Sequence, residues 1–186
     1  MLNWQVTYME RKTPPVKEAN APHGSTKIKF VRTQDIQVED YRKLYRKVGE
    51  HWLWWERLAL TDCVLGKIIS NECTEINLLQ VNQEIAGFTE LDTTNNKIPA
   101  IRYFGLIPKF IGQHLGSFMM QTLLNQAWHK NVMKITLDTC NLDHPTAINF
   151  YKHHGFEETH IETREAADQR AIGILPTTAA PHIPIS

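Results

Sequence analysis

The stretch from Ile98 to Phe156 constrains the fold more than any other part of the chain. It opens with a run over residues 98–107 that reads as a strand. A short loop holding Gly112 follows, then a helical pattern to about Lys130, with Gly116, Met119, Met120, Leu123, Leu124 and Ala127 on one face. Residues 133–140 read as a second strand, and residues 145–154 as a second helix, with Pro145 in its first turn and Gly155 as its stop. Strand, helix, strand, helix is a βαβ crossover, which needs two parallel strands in one sheet. The methionine and leucine stripe is core packing. A glycine loop at a helix N-terminus collects backbone N–H donors and suits an anion.

The rest of the chain supplies the other layers. Residues 3–9 alternate as a strand, with Trp4, Val6 and Tyr8 on one side. Residues 13–26 hold three prolines and a glycine and read as a loop. A short strand spans 27–33, and a helix runs from Val38 to about Gly49, with Tyr41, Leu44, Tyr45 and Val48 as its buried stripe. After an aromatic segment, HWLWWERL, a second helix starts at the capping pair Thr61-Asp62, with Val64, Leu65, Ile68 and Ile69 inward. Residues 75–81 and 84–91 form a hairpin across Asn82-Gln83, DTTNNK is the next turn, and 156–164 is a last strand. Residues 175–186 carry three prolines without periodicity and predict an extended or disordered tail.

This order predicts an α/β fold (an α+β mixed sheet), with a central, mostly antiparallel sheet, a βαβ crossover and flanking helices. One domain covers 27–164, after an N-terminal strand and Pro-rich extension over 1–26 and before an extended tail over 165–186. Lys+Arg and Asp+Glu are both 20, which argues against a nucleic-acid partner held by phosphate contacts. No apolar run of about 18 residues predicts a membrane span, and the N-terminus does not read as a signal peptide. Cys63, Cys73 and Cys140 form no close-spaced pair, which fits a reducing cytoplasm. No His/Cys spacing supports a metal: His153 and His154 are adjacent on a helix and diverge by roughly 100°.

The element order and the glycine loop resemble the GNAT superfamily of acyl-CoA-dependent N-acyltransferases. Its loop pattern is Gln/Arg-x-x-Gly-x-Gly/Ala, matched here by Lys109-Phe110-Ile111-Gly112-Gln113-His114 and continued by Leu115-Gly116-Ser117. Lys109 keeps a donor and a charge, whereas His114 stands where the pattern has a small residue and fits only with its Cβ turned from the phosphates. The resemblance implies acetyl-CoA as acyl donor. It places Phe104, Gly105 and Leu106 beside the pantetheine arm, and Lys109 and Ile111, Gly112, Gln113, His114, Leu115, Gly116 and Ser117 around the pyrophosphate. Gly105 suits a bulge or a close backbone approach. The family's Asn-x-x-Ala falls on His144-Pro145-Thr146-Ala147; either His144 or the nearby Asn141 takes the place of the asparagine. The family usually has one more C-terminal strand, and residues 3–9 are the substitute at that sheet edge.

The implied reaction is direct acetyl transfer to an amine, on a small molecule or a peptide. Tyr151 falls at the family's general-acid position, and the backbone N–H of Leu106 at its oxyanion donor. The resemblance does not settle the base: Glu90 is the first choice, ahead of Asp92 and Glu56. Trp52, Trp55 and Tyr103, with His51 and Trp54, line the acceptor site; the other reading of this aromatic group is a core cluster with an oligomer contact, as in a homodimer. Cys140 lies mid-strand with no clear partner base, which argues against a covalent intermediate. Two further readings stand: a CoA-binding regulatory domain without catalysis, and an acetyltransferase acting on a protein or aminoacyl-tRNA amine.

Overall fold

The computed structural model describes residues 1–16, 19, 21–22 and 27–186. The Pro-rich loop expected over 13–26 therefore lies partly outside the described residues. The strands are β1 (Leu2–Arg11), β2 (Ile28–Thr33), β3 (Thr74–Val81), β4 (Glu84–Asp92), β5 (Ala100–Leu106), β6 (Ile135–Cys140) and β7 (Glu157–Ala166). The helices are α1 (Val38–Gly49), α2 (Asp62–Ile69), α3 (Leu115–Ala127) and α4 (Ala147–His153). The strands form one mixed sheet in the order β2-β3-β4-β5-β6-β1-β7. Every neighbouring pair is antiparallel except β5 and β6, the parallel pair that the crossover through α3 requires.

Helix α1 buries Tyr41, Leu44, Tyr45 and Val48 together with Leu65, Ile69, Ile76 and Phe88. Its acidic first turn (Glu39, Asp40) and basic last turn (Arg46, Lys47) both oppose the helix dipole favourably. Helix α2 starts where the capping pair predicts: Thr61 Oγ1 accepts the Val64 N–H at 3.4 Å. It is only two turns long, so Leu65 and Ile69 go inward and Val64 is left exposed, contrary to the inward face expected for it. The hairpin at Asn82-Gln83 has both residues at positive φ, 50° and 70°, as a two-residue turn between twisted strands demands. Met119, Met120, Leu123 and Leu124 of α3 are buried, packing with Met9, Ile135 and Leu79 among others.

Two terminal segments depart from expectation. Strand β1 does not lie at the sheet edge; it is inserted between β6 and β7, with Val6 opposite Cys140 on one side and Glu162 on the other. Pairing on both sides satisfies its backbone, and Val6, Thr7 and Met9 are buried. β7 is left as the edge, exposed from Glu157 to Glu165 and rich in charge, which discourages further strand addition.

The C-terminal segment is packed rather than extended. Leu175, Ala179 and Ala180 bury themselves against Leu2 and Leu53, with Trp4, Trp55 and Leu142 beside them. Asp168 and Arg170 form a buried ion pair at 2.7 Å. The Arg170 guanidinium also donates to the carbonyls of Ala179, Ala180, Ile183 and Pro184. A proline-rich chain cannot pair its own carbonyls in a ladder, and one arginine with five donors does so here. Among the described residues no helix is long and apolar enough to cross a membrane.

Candidate active site

Strands β5 and β6 pair only at Ala100–Thr136 and Ile101–Leu137, then separate. The bulge falls at Arg102, which has no partner between Glu90–Tyr103 and Leu91–Ile101, and not at Gly105. Beyond it, the Ile107 N–H donates to Ala86 O of β4 at 2.8 Å. Successive residues of an extended chain face opposite edges, so the N–H and C=O groups of Leu106 and Phe104 turn away from β4, into the gap. Gly105 is needed for a close approach by α1: a Cβ there would lie 2.4 Å from Val48 Cγ1.

A cavity of about 420 Å³ occupies this gap. At one end lie Ile111, Gly112, His114, Gly116 and Ser117. Phe104, Leu106, Cys140, Asp143, His144 and Tyr151 line it too, as do Trp52, Trp54, Trp55, Glu56 and Tyr103 of the aromatic group.

The loop is open and donor-rich. Gly112 has φ +84° and no atom within 4 Å of where a Cβ would sit. His114 also takes the left-handed conformation, φ 58°, at the N-cap of α3, so the helix begins at Leu115 rather than near Gly112. That conformation costs a non-glycine residue roughly 1–2 kcal/mol, and histidine is among the residues found there more often than most. The His114 ring is exposed. No described residue accepts from the backbone N–H of Gly112, Gln113 or His114. Gln113 serves the loop itself, donating to Lys109 O at 2.9 Å. Lys109 is outside the cavity: its ammonium pairs with Glu84 and lies 5.0 Å over the Phe110 ring. Leu115 is core.

The two alternatives at the end of β6 separate. Asn141 exchanges hydrogen bonds with Gln5, its Oδ1 accepting at 2.8 Å and its N–H donating at 3.1 Å, so it extends the β1–β6 ladder. His144 lines the cavity. Its Nδ1 lies 3.2 Å from the Thr146 N and 2.8 Å from the Thr146 Oγ1.

Tyr151, on α4, stands in the cavity wall against Phe104, Phe150 and Phe156. Burial raises its phenol well above the ordinary value, and Asp143 and Asp138 add to the effect. The group therefore stays protonated. Cys140 is pushed up to about 12 by burial and then by Asp143, so its thiol is no nucleophile at neutral pH.

The expected base is placed elsewhere. Glu90 is 1% exposed and does not line the cavity. Tyr41 donates to one of its oxygens, and Arg57 pairs with the other. It acts as a buried counter-ion between β4 and α1, because its side chain faces the helix layer rather than the gap. Asp92 is likewise occupied, holding Arg102 at 2.7 Å. Glu56 does line the cavity; the Tyr45 hydroxyl (3.0 Å) and Trp55 N–H (3.3 Å) both donate to its Oε2.

Asp143 was not singled out in the sequence. It accepts from Trp54 Nε1 at 3.1 Å, Thr139 Oγ1 at 2.8 Å and Cys140 N at 2.9 Å, tying the aromatic segment to the end of β6. The only local signal is an aspartate that bonds backbone N–H groups in a turn after a strand. Trp52, Trp55 and Tyr103 line the cavity, with Trp54 5.1 Å from the Tyr103 ring.

Comparison with known proteins agrees with this fold. The family model described as Acetyltransferase (GNAT) family matches residues 31–156. No curated protein sequence matches the chain. Among solved structures, a GNAT family acetyltransferase from Streptococcus pneumoniae is 20% identical, with a TM-score of 0.54 over 70% of this chain and 88% of that one. Ard1 from Thermoplasma volcanium is also 20% identical, with a TM-score of 0.56 over 72% and 84%. A conserved protein of unknown function from Staphylococcus epidermidis has a TM-score of 0.60 at 15% identity, over 87% of this chain; this chain spans 60% of its length. Such identities speak to the fold. The family match covers well over half of the sequence and includes the glycine loop and Tyr151, and the chain belongs to the GNAT acetyltransferase family.

Proposed function

We propose that this protein transfers the acetyl group of acetyl-CoA to an amine by direct attack. The observation that carries the reading is one cavity, running through the β5–β6 gap, that joins the donor-rich loop to an aromatic end bearing Glu56, with Tyr151 in its wall. The free N–H groups of Gly112, Gln113 and His114 suit the pyrophosphate. The edge groups of Phe104 and Leu106 suit the amides of the pantetheine arm. His114 is exposed while also lining the cavity, and its left-handed backbone supports an open loop there.

The chemistry follows from the groups present. An alkyl ammonium has a pKa of roughly 10 and must lose a proton before it attacks. Glu56 takes that proton. The nitrogen then forms a C–N bond to the thioester carbonyl carbon, whose oxygen accepts from the Leu106 N–H. The C–S bond breaks, and Tyr151 protonates the departing sulfur. The nitrogen releases its second proton to solvent, Glu56 gives up the first to solvent as well, and Tyr151 is reprotonated from solvent. The ammonium has lost two protons, one replaced on sulfur and one released. The three free cysteines support a reducing compartment, the cytoplasm.

The test compares Glu56→Gln with Glu90→Gln by release of free CoA thiol across pH, alongside calorimetry with acetyl-CoA. Glu56→Gln should lower kcat/KM about 100-fold and remove the acidic limb of the profile. Glu90→Gln should lower the melting temperature and keep the limb. The reverse pattern would return the base to Glu90. Absence of acetyl-CoA binding to the wild type would end the reading.

A further inference from the structure

Strand β6 carries a carboxylate that the proposed reaction leaves unused. Asp138 follows Leu137, the last residue of β6 paired with β5, and so stands where the two strands part. It lines the cavity and is exposed. Among the described residues it makes no hydrogen bond and no ion pair. The two arginines that act on it from a distance have partners of their own. Arg102 pairs with Asp92 at 2.7 Å, and Arg164 donates to the Tyr8 hydroxyl and lies 3.6 Å from Glu162.

Alternation along β6 decides which way this side chain goes. Leu137 packs with Met9, Ile101 and the α3 residues Met120 and Leu123. Leu137 pairs with Met9 and Asp138 with Tyr8 in unbroken register, so Asp138 projects from the opposite face of the sheet. That is the face of α1, against which Tyr103 packs and whose Tyr45 donates to Glu56. Asp138, Tyr103 and Glu56 therefore share one face and one cavity, whereas Phe104 packs on the α3 face. Crowding by the surrounding walls displaces water and raises the Asp138 carboxyl above its ordinary value, against the pull of Arg164 and Arg102. A carboxylate short of water gains from a cation. Its charge is also felt by the Tyr151 phenol, after that of Asp143, so it lies within electrostatic reach of the proposed acid.

We propose that Asp138 is an acceptor-binding residue: it pairs with the ammonium of the incoming amine and holds one of its N–H groups while Glu56 removes a proton. This rests on the amine-acetylating reading of the cavity. An alkyl ammonium has a pKa of roughly 10, so at neutral pH the charged form is by far the more abundant, and a site that collects the cation works on that form. The ammonium has three N–H groups. One proton goes to Glu56, a second N–H stays on Asp138, and the lone pair set free is directed at the thioester carbon. Asp138 then governs affinity for the acceptor, and Glu56 the rate of attack.

The experiment needs no turnover and so separates the two readings. Calorimetry on the full chain with saturating CoA, at neutral pH, compares phenethylamine with phenethyl alcohol, which set an ammonium against a hydroxyl on one aromatic body. Wild type should bind the amine at least tenfold more tightly. Asp138→Asn, which keeps the shape and loses the charge, should bring the two affinities together, and Asp138→Glu should restore most of the preference. Glu56→Gln should lose less of it than Asp138→Asn. Asp138 is exposed and unpaired, so Asp138→Asn should fold with an unchanged melting temperature and bind CoA as the wild type does. Equal affinity of the wild type for the two ligands, no binding of either, or a loss in Glu56→Gln as large as that in Asp138→Asn would each overturn the proposal. Binding that depends on Asp138 without acetylation would instead keep this assignment and reject the catalytic reading.

Discussion

The two ends of the cavity are built in different ways. The loop end, proposed to hold the acyl donor, is local: residues 104–117 supply the free strand edge, the loop and the start of α3 in one continuous stretch. The aromatic end, proposed to take the acceptor, draws on Leu2 and Trp4, the aromatic segment 52–56, Tyr103, Asp143, Arg164 and Gln169, brought together across the sheet. A local arrangement tolerates change elsewhere in the chain. A distributed one depends on the packing of every contributor.

The sharpest way to break this contrast is Arg170→Met. It leaves Asp168 buried without its partner, and removing one member of a buried pair costs about 3–5 kcal/mol. Four carbonyls of the C-terminal segment also lose their donor. We expect a large fall in melting temperature, rapid proteolysis after β7 and loss of amine binding. At a low temperature where the rest stays folded, affinity for acetyl-CoA should hold within about twofold, since the hydrophobic cluster that buries this segment includes none of residues 104–117. A parallel loss of acetyl-CoA affinity would show that the two ends are not separable.

Tyr151→Phe probes the point where the ends meet. Turnover should fall about 100-fold, the usual scale for losing a general acid, with acetyl-CoA affinity unchanged in calorimetry. The phenol is held above its ordinary value, so the alkaline limb of the wild-type profile should not come from Tyr151. Full turnover in the variant would remove it as the acid.

Legibility in the sequence follows the same division. Helix stripes, the Asn82-Gln83 turn and the glycine loop are encoded by neighbours in the chain, and they fold close to where the residues predict, apart from the outward Val64 of α2 and the later start of α3. The position of β1 was not legible beyond its being a strand, because period-2 alternation names a strand and says nothing of its neighbours. Glu90 misled for a related reason. Its place near the end of β4 is plain in the sequence, but the covering by Tyr41 and Arg57 comes from segments 49 and 33 residues away. The C-terminal segment was the hardest. Prolines without periodicity read as a loose tail, and only a buried arginine shared among distant carbonyls makes such a segment compact.

The smallest effect distinguishes the ends by pH. The His182 ring stacks on His51 at 4.7 Å and meets Trp52 edge-on at 5.7 Å. Burial, then His51 and Arg170, lowers its affinity for a proton when the segment is docked. An undocked His182 titrates near 6.5. The released state thus binds the extra proton, and docking is strongest above that value and weakens as pH falls through it. Asp168 behaves differently: Arg170 holds its carboxyl well below the ordinary range, so its contribution persists until far more acid conditions. Between pH 7.5 and 5.5, proteolysis after β7 should therefore quicken modestly, and His182→Phe, which keeps a ring for the stack, should flatten that dependence. A dependence that persists unchanged in His182→Phe would move the titrating group to His51 or elsewhere, while acetyl-CoA affinity over the same interval shows whether the donor end shares in it.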